Sequence, residues 1–174
     1  LSLHDALPIC HRNFQISDLP DNIFFTSNSE DDRRHHCGKW QHMNEFCATL
    51  QNRLPEQKCA FYGINGASKC FGPQYEDAIA RARVGLNISR RNDAYLYSSD
   101  RLAHMIGNGL TICIDRATGY CDIFDDSEMV FYSTENELIE NLDRLGKDDL
   151  YRMKIGENGW RKYSTLFDGA LVAQ

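Results

Sequence analysis

The feature that most constrains this chain is an alternation. From Asp21 onward, short apolar runs of strand length are separated by stretches whose apolar residues recur with the helical period. Residues 23–26, 59–64, 84–88, 110–115 and 129–132 are strand candidates. Between them, residues 41–53, 74–83, 99–106 and 135–145 read as helices, the second opened by Pro73. The best marked is 135–145: Thr134 and Glu137 form a capping box, Leu138, Ile139, Leu142 and Leu145 share a face, and Gly146 is the expected stop. Asp148 is expected to cap a final helix. Strands that each return through a helix pair in parallel with right-handed crossovers. The pattern therefore predicts an α/β fold, a doubly wound parallel sheet, in a single domain without repeats or a linker.

A chain of 174 residues with 42% hydrophobic and 25% charged content can bury one such core. The net charge of -6 argues against an electrostatic grip on nucleic acid, which needs a concentrated excess of Lys and Arg. No apolar run approaches the roughly 20 residues that cross a bilayer, and the start lacks a basic-then-apolar signal. The expectation is a soluble, cytoplasmic protein. Cys10, Cys37, Cys47, Cys59, Cys70, Cys113 and Cys121 are irregularly spaced and several sit in apolar runs, so they read as reduced thiols. Residues 1–9, LSLHDALPI, match codon by codon the translation of a common sequencing adapter and are expected to be an artefact. A lead-in over 10–20 and a domain over 21–174 follow, with the gene expected to continue upstream. The apolar pattern of 169–174 has no helix-ending Gly or Pro, so truncation is expected there too.

Ligands of doubly wound sheets bind outside the carboxyl ends of the strands, where helix N-termini offer free N–H groups to phosphate. The loop 87–100, NISRRNDAYLYSSD, has that character: Ser98 and Ser99 stand where a helix begins, and Arg90, Arg91 and Arg101 supply positive charge. A plain N-cap with solvated arginines is the competing reading. Gly107 and Gly109 suit tight packing and a turn better than ligand access. The first strand-to-helix loop, TSNSEDDRRHHCG, lacks the glycines of a dinucleotide fingerprint, which argues against a dinucleotide oxidoreductase.

Other groupings favour structural roles. His35, His36, Cys37 and His42 cluster, but an adjacent pair does not readily share one tetrahedral centre, so no metal is expected. Asp122, Asp125, Asp126 and Glu128 lack calcium-loop spacing and read as a solvated turn. Cys37 or Cys113 as a nucleophile would need a base the sequence does not reveal. Trp40, Tyr151, Trp160 and Tyr163 lie in helix-period stretches and suit packing. Arg152, Lys154, Arg161 and Lys162 are too few to support contact with a membrane surface.

The run of residues 80–163, including ARVGLNISR, YSSDRLAHMIGNGLTICID, DIFDDSEMVFYSTENELIENL and IGENGWRKY, resembles the C-terminal domain of GT-B glycosyltransferases, within the group-1-like branch that includes spore-maturation-type enzymes. Residues 23–63 match more loosely. The resemblance implies a Rossmann-like domain, one half of a GT-B fold, that binds a nucleotide-diphospho-sugar donor without a metal cofactor. Catalysis would occur in the cleft toward a missing N-terminal acceptor domain, so the fragment alone would be inactive. Tyr97, Ser98, Ser99, Asp100 and Arg101 match the helix N-terminus that approaches the donor diphosphate. Asn87, Ser89 and Arg90 match the preceding loop, and Ser27, Asn28 and Arg33 the first loop facing the cleft. Many relatives carry an acidic residue within the helix after the donor loop; here Asp100 opens that helix and His104 follows one turn later. The base of such an enzyme would lie in the other domain. A Rossmann-like module that binds a ligand or partner without chemistry is the alternative.

Overall fold

A computed structural model describes residues 11–29, 32–97 and 99–167. Its elements follow one another as β1 (Asp21–Thr26), β2 (Arg33–His36), β3 (Lys39–His42), α1 (Met43–Arg53), β4 (Cys59–Tyr62), α2 (Pro73–Ala80), β5 (Ala82–Asn87), α3 (Asp100–Gly107), β6 (Thr111–Asp115), β7 (Val130–Tyr132), α4 (Glu135–Lys147) and α5 (Asp149–Leu166). Five strands form one sheet in the order β4-β1-β5-β6-β7, and every neighbouring pair is parallel. This is a doubly wound, Rossmann-like sheet. Residues 1–10 and 168–174, including the adapter-like segment, lie outside the described residues.

Alternation along the strands divides the core in two. Ile23, Phe25, Val84, Leu86, Cys113, Val130 and Tyr132 point to the face covered by Met43, Phe46 and Leu50 of α1 and Leu138, Leu142 and Leu145 of α4. Phe24, Ile112, Ile114 and Phe131 point to the other, covered by Ala78 and Ile79 of α2 and Leu102, Met105 and Ile106 of α3. Strands buried on both faces read as continuous apolar runs, as TICID does in β6, where all five residues are buried.

The amino-terminal edge of the sheet is closed. Asn13 Nδ2 donates to the carbonyls of Ile79 and Ala82, both at 2.7 Å, and the fully buried Arg152 of α5 donates to Ile16 O at 2.9 Å. Thr111 at the start of β6 donates its hydroxyl to Arg152 O, and Trp160 Nε1 donates to Gly107 O. Gly109 sits at φ +79, and a Cβ there would lie 2.6 Å from the Phe14 ring, so this glycine serves a turn and packing.

Three expectations need correction. Residues 41 and 42 do not start the helix expected over 41–53 but end strand β3, which pairs antiparallel with β2 in a separate hairpin; α1 begins at Met43. Helix α4 does not stop at Gly146 but runs through it to Lys147. Trp40 lies on β3 rather than on a helix and is 52% exposed. Thr134 Oγ1 caps α4 by accepting from Glu137 N–H, while the Glu137 carboxylate accepts from Ser133 N–H. The other basic and acidic groupings resolve into local pairs, Arg161 with Glu157 and Arg116 with Asp126 among them. Among the described residues, no helix is long and apolar enough to cross a membrane.

Candidate functional site

The chain leaves β1 toward β4 on one side and returns through α2 to β5 on the other. The sheet therefore has its topological switch point between β1 and β5, where a crevice opens at the carboxyl edge. A hollow of about 270 Å³ occupies that place. Its walls are the end of β1 with the loop after it, Asp32 and Arg34 of the hairpin arm, the loop after β5, and the opening of α3.

Ser27, Asn28, Ser89, Arg90, Tyr97, Ser99, Asp100 and Arg101 all line this one hollow. Ser98 lies outside the described residues. Asn87 is fully buried as the last residue of β5 and does not line it. Arg33 does not line it either, because β2 alternates: Arg34 and His36 turn inward, while Arg33 turns outward beside Trp40. Arg91 is likewise outside and pairs with exposed Asp93. His104 packs edge-on against Tyr75, with ring centroids 5.6 Å apart, and is not in the lining.

Arg101 is the centre of the site's electrostatics. Its guanidinium donates to Thr26 O at 2.7 Å and Ile88 O at 2.6 Å, tying the ends of β1 and β5 together. Its Nε is buried with no partner, and no carboxylate pairs with it among the described residues. Burial, with Arg34 nearby, pulls its pKa down to about 10, so it stays charged at neutral pH. Arg34, absent from the sequence-based set, also reaches Ile88 O, but its charge is met by Asp32 at 2.5 Å. Both guanidiniums stack on Phe25, 5.0 and 5.1 Å from the ring centroid. Asp32 is further satisfied by the Ser27 hydroxyl at 2.6 Å. The two arginines and one neutralising aspartate leave one buried positive charge facing the hollow.

Neighbouring polar groups are also short of partners. Both side-chain atoms of Asn87, the Ser89 hydroxyl and Asn92 Nδ2 are buried and unpaired among the described residues. Buried polar groups normally find a partner, and of these three residues only Ser89 lines the hollow. The loop itself is ordered by Ser89 N–H donating to Asn92 Oδ1 and by the hairpin: His35 N–H donates to Arg90 O, and Asn92 N–H donates to His35 O. Gly63, at φ +72, backs the first loop so closely that a Cβ would lie 2.0 Å from Ser27 O.

The hairpin turn, Cys37 at φ 49 and Gly38 at φ 76, reaches the end of β6, where Cys37 N–H donates to Asp115 Oδ2 at 2.7 Å. Burial holds His36 neutral, with its pKa pulled down to about 4, and pushes the Cys37 thiol up to about 12. Cys113 is raised as well, by complete burial. Neither Cys37 nor Cys113 has the thiolate character of a nucleophile. A second, apolar hollow of about 430 Å³ flanks α3 on its other side, lined by Leu102, Tyr120, Phe124, Met129 and Tyr163 among others.

A family model described as Glycosyl transferase-like matches residues 33–169, which covers the hairpin and every element after it. No curated protein matches the chain.

Proposed function

The chain belongs to the glycosyl transferase-like family, and on that premise we propose that it binds the nucleotide-diphospho-sugar donor of a sugar transferase. The observation that carries the reading is Arg101: a guanidinium that pairs with no carboxylate among the described residues, at the switch point and beside the N-terminus of α3. A diphosphate is the anion such a place suits. It would receive the Arg101 charge, the side chain of Arg90, the hydroxyl of Ser89, and the N–H groups of the first turn of α3. Asp100, exposed at the same opening, suits hydroxyls of the ribose or the transferred sugar.

In the transfer, an acceptor hydroxyl oxygen bonds to the anomeric carbon as the bond from that carbon to the diphosphate breaks, and the electron pair leaves with the diphosphate. The positive groups lower the barrier by stabilising that departing charge. The proton of the acceptor passes to a base on an acceptor domain that precedes this one, so the present chain binds donor but does not transfer sugar alone. No resident metal is required at the diphosphate, because fixed positive groups already face it.

Calorimetry with UDP, GDP, ADP and dTDP tests the reading. One of them binds, and Arg90→Ala, an exposed position, weakens it about tenfold, the worth of one charge-assisted hydrogen bond. Absence of binding by the folded chain would overturn it, and unchanged affinity in Arg90→Ala would remove that residue from the site. Transfer activity should return only when the preceding domain is restored; a binding module without chemistry would stay inactive in that longer chain.

A further inference from the structure

The hairpin tip and the end of β6 bring together three groups of which two, Cys37 and Asp115, stand 78 positions apart in the chain. One imidazole nitrogen of His36, Sγ of Cys37 and a carboxylate oxygen of Asp115 all lie within 4.8 Å of one another. Four-coordinate zinc, with ligands at about 2.0–2.3 Å, sets neighbouring ligand atoms roughly 3.3–3.8 Å apart, so small side-chain rotations close the set. His36 and Asp115 are buried, at 0% and 2% exposed, and Cys37 is half-buried.

Each ligand is held in place yet keeps capacity for a cation. The two Asp115 oxygens accept one N–H each, from Cys37 at 2.7 Å and Ala117 at 2.9 Å. A carboxylate oxygen has two lone pairs, so both retain one. The His36 ring stands edge-on to Phe46 at 4.5 Å, and the Gln41 amide meets its Nε2 at 3.0 Å. Turned so that its oxygen faces the ring, the Gln41 amide would accept from Nε2–H and leave Nδ1 as the ligating nitrogen. His36 Nδ1 and the Tyr132 hydroxyl, at the end of the adjacent strand β7, are buried and unpaired among the described residues. Those orphaned atoms mark a missing partner. One thiolate and one carboxylate would exactly balance a divalent charge, and the soft sulfur with imidazole favours zinc over calcium or magnesium.

We propose that His36, Cys37 and Asp115 bind one divalent cation of the zinc type, with water completing the set, and that this cation staples the hairpin to the parallel sheet. On binding, the Cys37 S–H bond is replaced by a sulfur–metal bond and the proton passes to solvent. The site is separate from the diphosphate hollow, since none of its three ligands lines it. The sequence pointed away from a metal because the adjacent His pair cannot share a centre; the fold instead uses one of that pair and draws the third ligand from the end of β6.

Cobalt titration of the full chain tests this. One equivalent of Co²⁺ should produce a thiolate-to-cobalt charge-transfer band that Zn²⁺ removes. Cys37→Ser should abolish the band, and Cys121→Ser, a partly exposed thiol outside the cluster, should retain it. Asp115→Asn should weaken Zn²⁺ by more than the roughly 10- to 100-fold that loss of an outer partner costs. Because substitutions at buried ligands can unfold the chain, alkylation of the unaltered protein gives a second reading: excess Zn²⁺ should slow labelling of Cys37 about tenfold or more and leave Cys121 unchanged. No thiolate band, a band that survives Cys37→Ser, or equal labelling of Cys37 with and without Zn²⁺ would overturn the proposal.

Discussion

A buried guanidinium without an anion is costly, by several kcal/mol, unless its donors are satisfied. Arg101 is stabilised by two backbone carbonyls and the Phe25 face, and these orient its remaining charge toward the hollow. Lysine cannot span both carbonyls with a planar fork. Arg101→Lys is therefore expected to reduce nucleoside diphosphate affinity at least about tenfold while leaving the chain folded, as calorimetry beside circular dichroism would show. A second residue-scale prediction concerns Cys47, whose thiol is raised from 9.0 to about 12 by burial and by neighbouring Cys59. Above pH 9 the unfolded chain loses this proton while the folded chain keeps it, so the stabilisation present at neutral pH is lost as pH rises toward 12. Between pH 7.5 and 10 that loss is on the order of 1 kcal/mol from Cys47 alone, measurable by urea unfolding, and Cys47→Ala should flatten the slope. Much of the hollow's lining was legible in the residues, because serine and arginine at the ends of β1 and β5 and at the opening of α3 fall together at the carboxyl edge of a parallel sheet. Arg34 and Asp32 were not legible: their place depends on which face of β2 turns inward, and the hairpin that decides this was read as loop and helix.

At the scale of elements, helix α4 shows how local chemistry sets a boundary and how tertiary contact overrides it. Thr134 satisfies the Glu137 N–H with its hydroxyl, so the N-terminus falls where the capping signature places it. Thr134→Ala should cost about 1 kcal/mol, read from the denaturation midpoint at an unchanged slope. At the other end Gly146 permits a stop but does not impose one. Gln57 lies so close that a Cβ at Gly146 would be 2.0 Å from its amide, so this glycine serves contact with the loop before β4 and the helix runs on. The five parallel strands, the crossover helices α1, α2 and α3, and helix α4 after the last strand were readable from apolar period alone, since a buried parallel strand is a continuous apolar run. The β2–β3 hairpin was not. Its strands, RRHH and KWQH, are polar and only partly buried, so neither period nor hydropathy marks them. The signal was the Cys-Gly turn, where two successive residues with positive φ match the right-handed twist of a hairpin.

Across the whole molecule, the two edges of the sheet have opposite characters. The amino edge is filled by residues 11–20 and α5: Asn13 and Trp160 donate to backbone carbonyls, and fully buried Arg152 donates to Ile16 O and is paired with the Asp149 carboxylate. The carboxyl edge instead opens on a hollow lined by Arg101, whose guanidinium pairs with no carboxylate among the described residues. That asymmetry makes the location of binding testable without any substitution. A ligand that binds only the folded chain suppresses local opening where it makes contact, and suppresses other openings only by stabilising the domain as a whole. Under conditions where amides exchange through local fluctuation, a bound nucleoside diphosphate should slow exchange in residues 27–29, 88–92, 97 and 99–102 at the carboxyl edge. Residues 11–19 and 107–111 at the amino edge should exchange at the rate of the free chain. If protection instead concentrates around Leu102, Tyr120 and Phe124, the ligand occupies the apolar hollow on the other side of α3, and Arg101 is a structural tie between β1 and β5 rather than the group that receives phosphate.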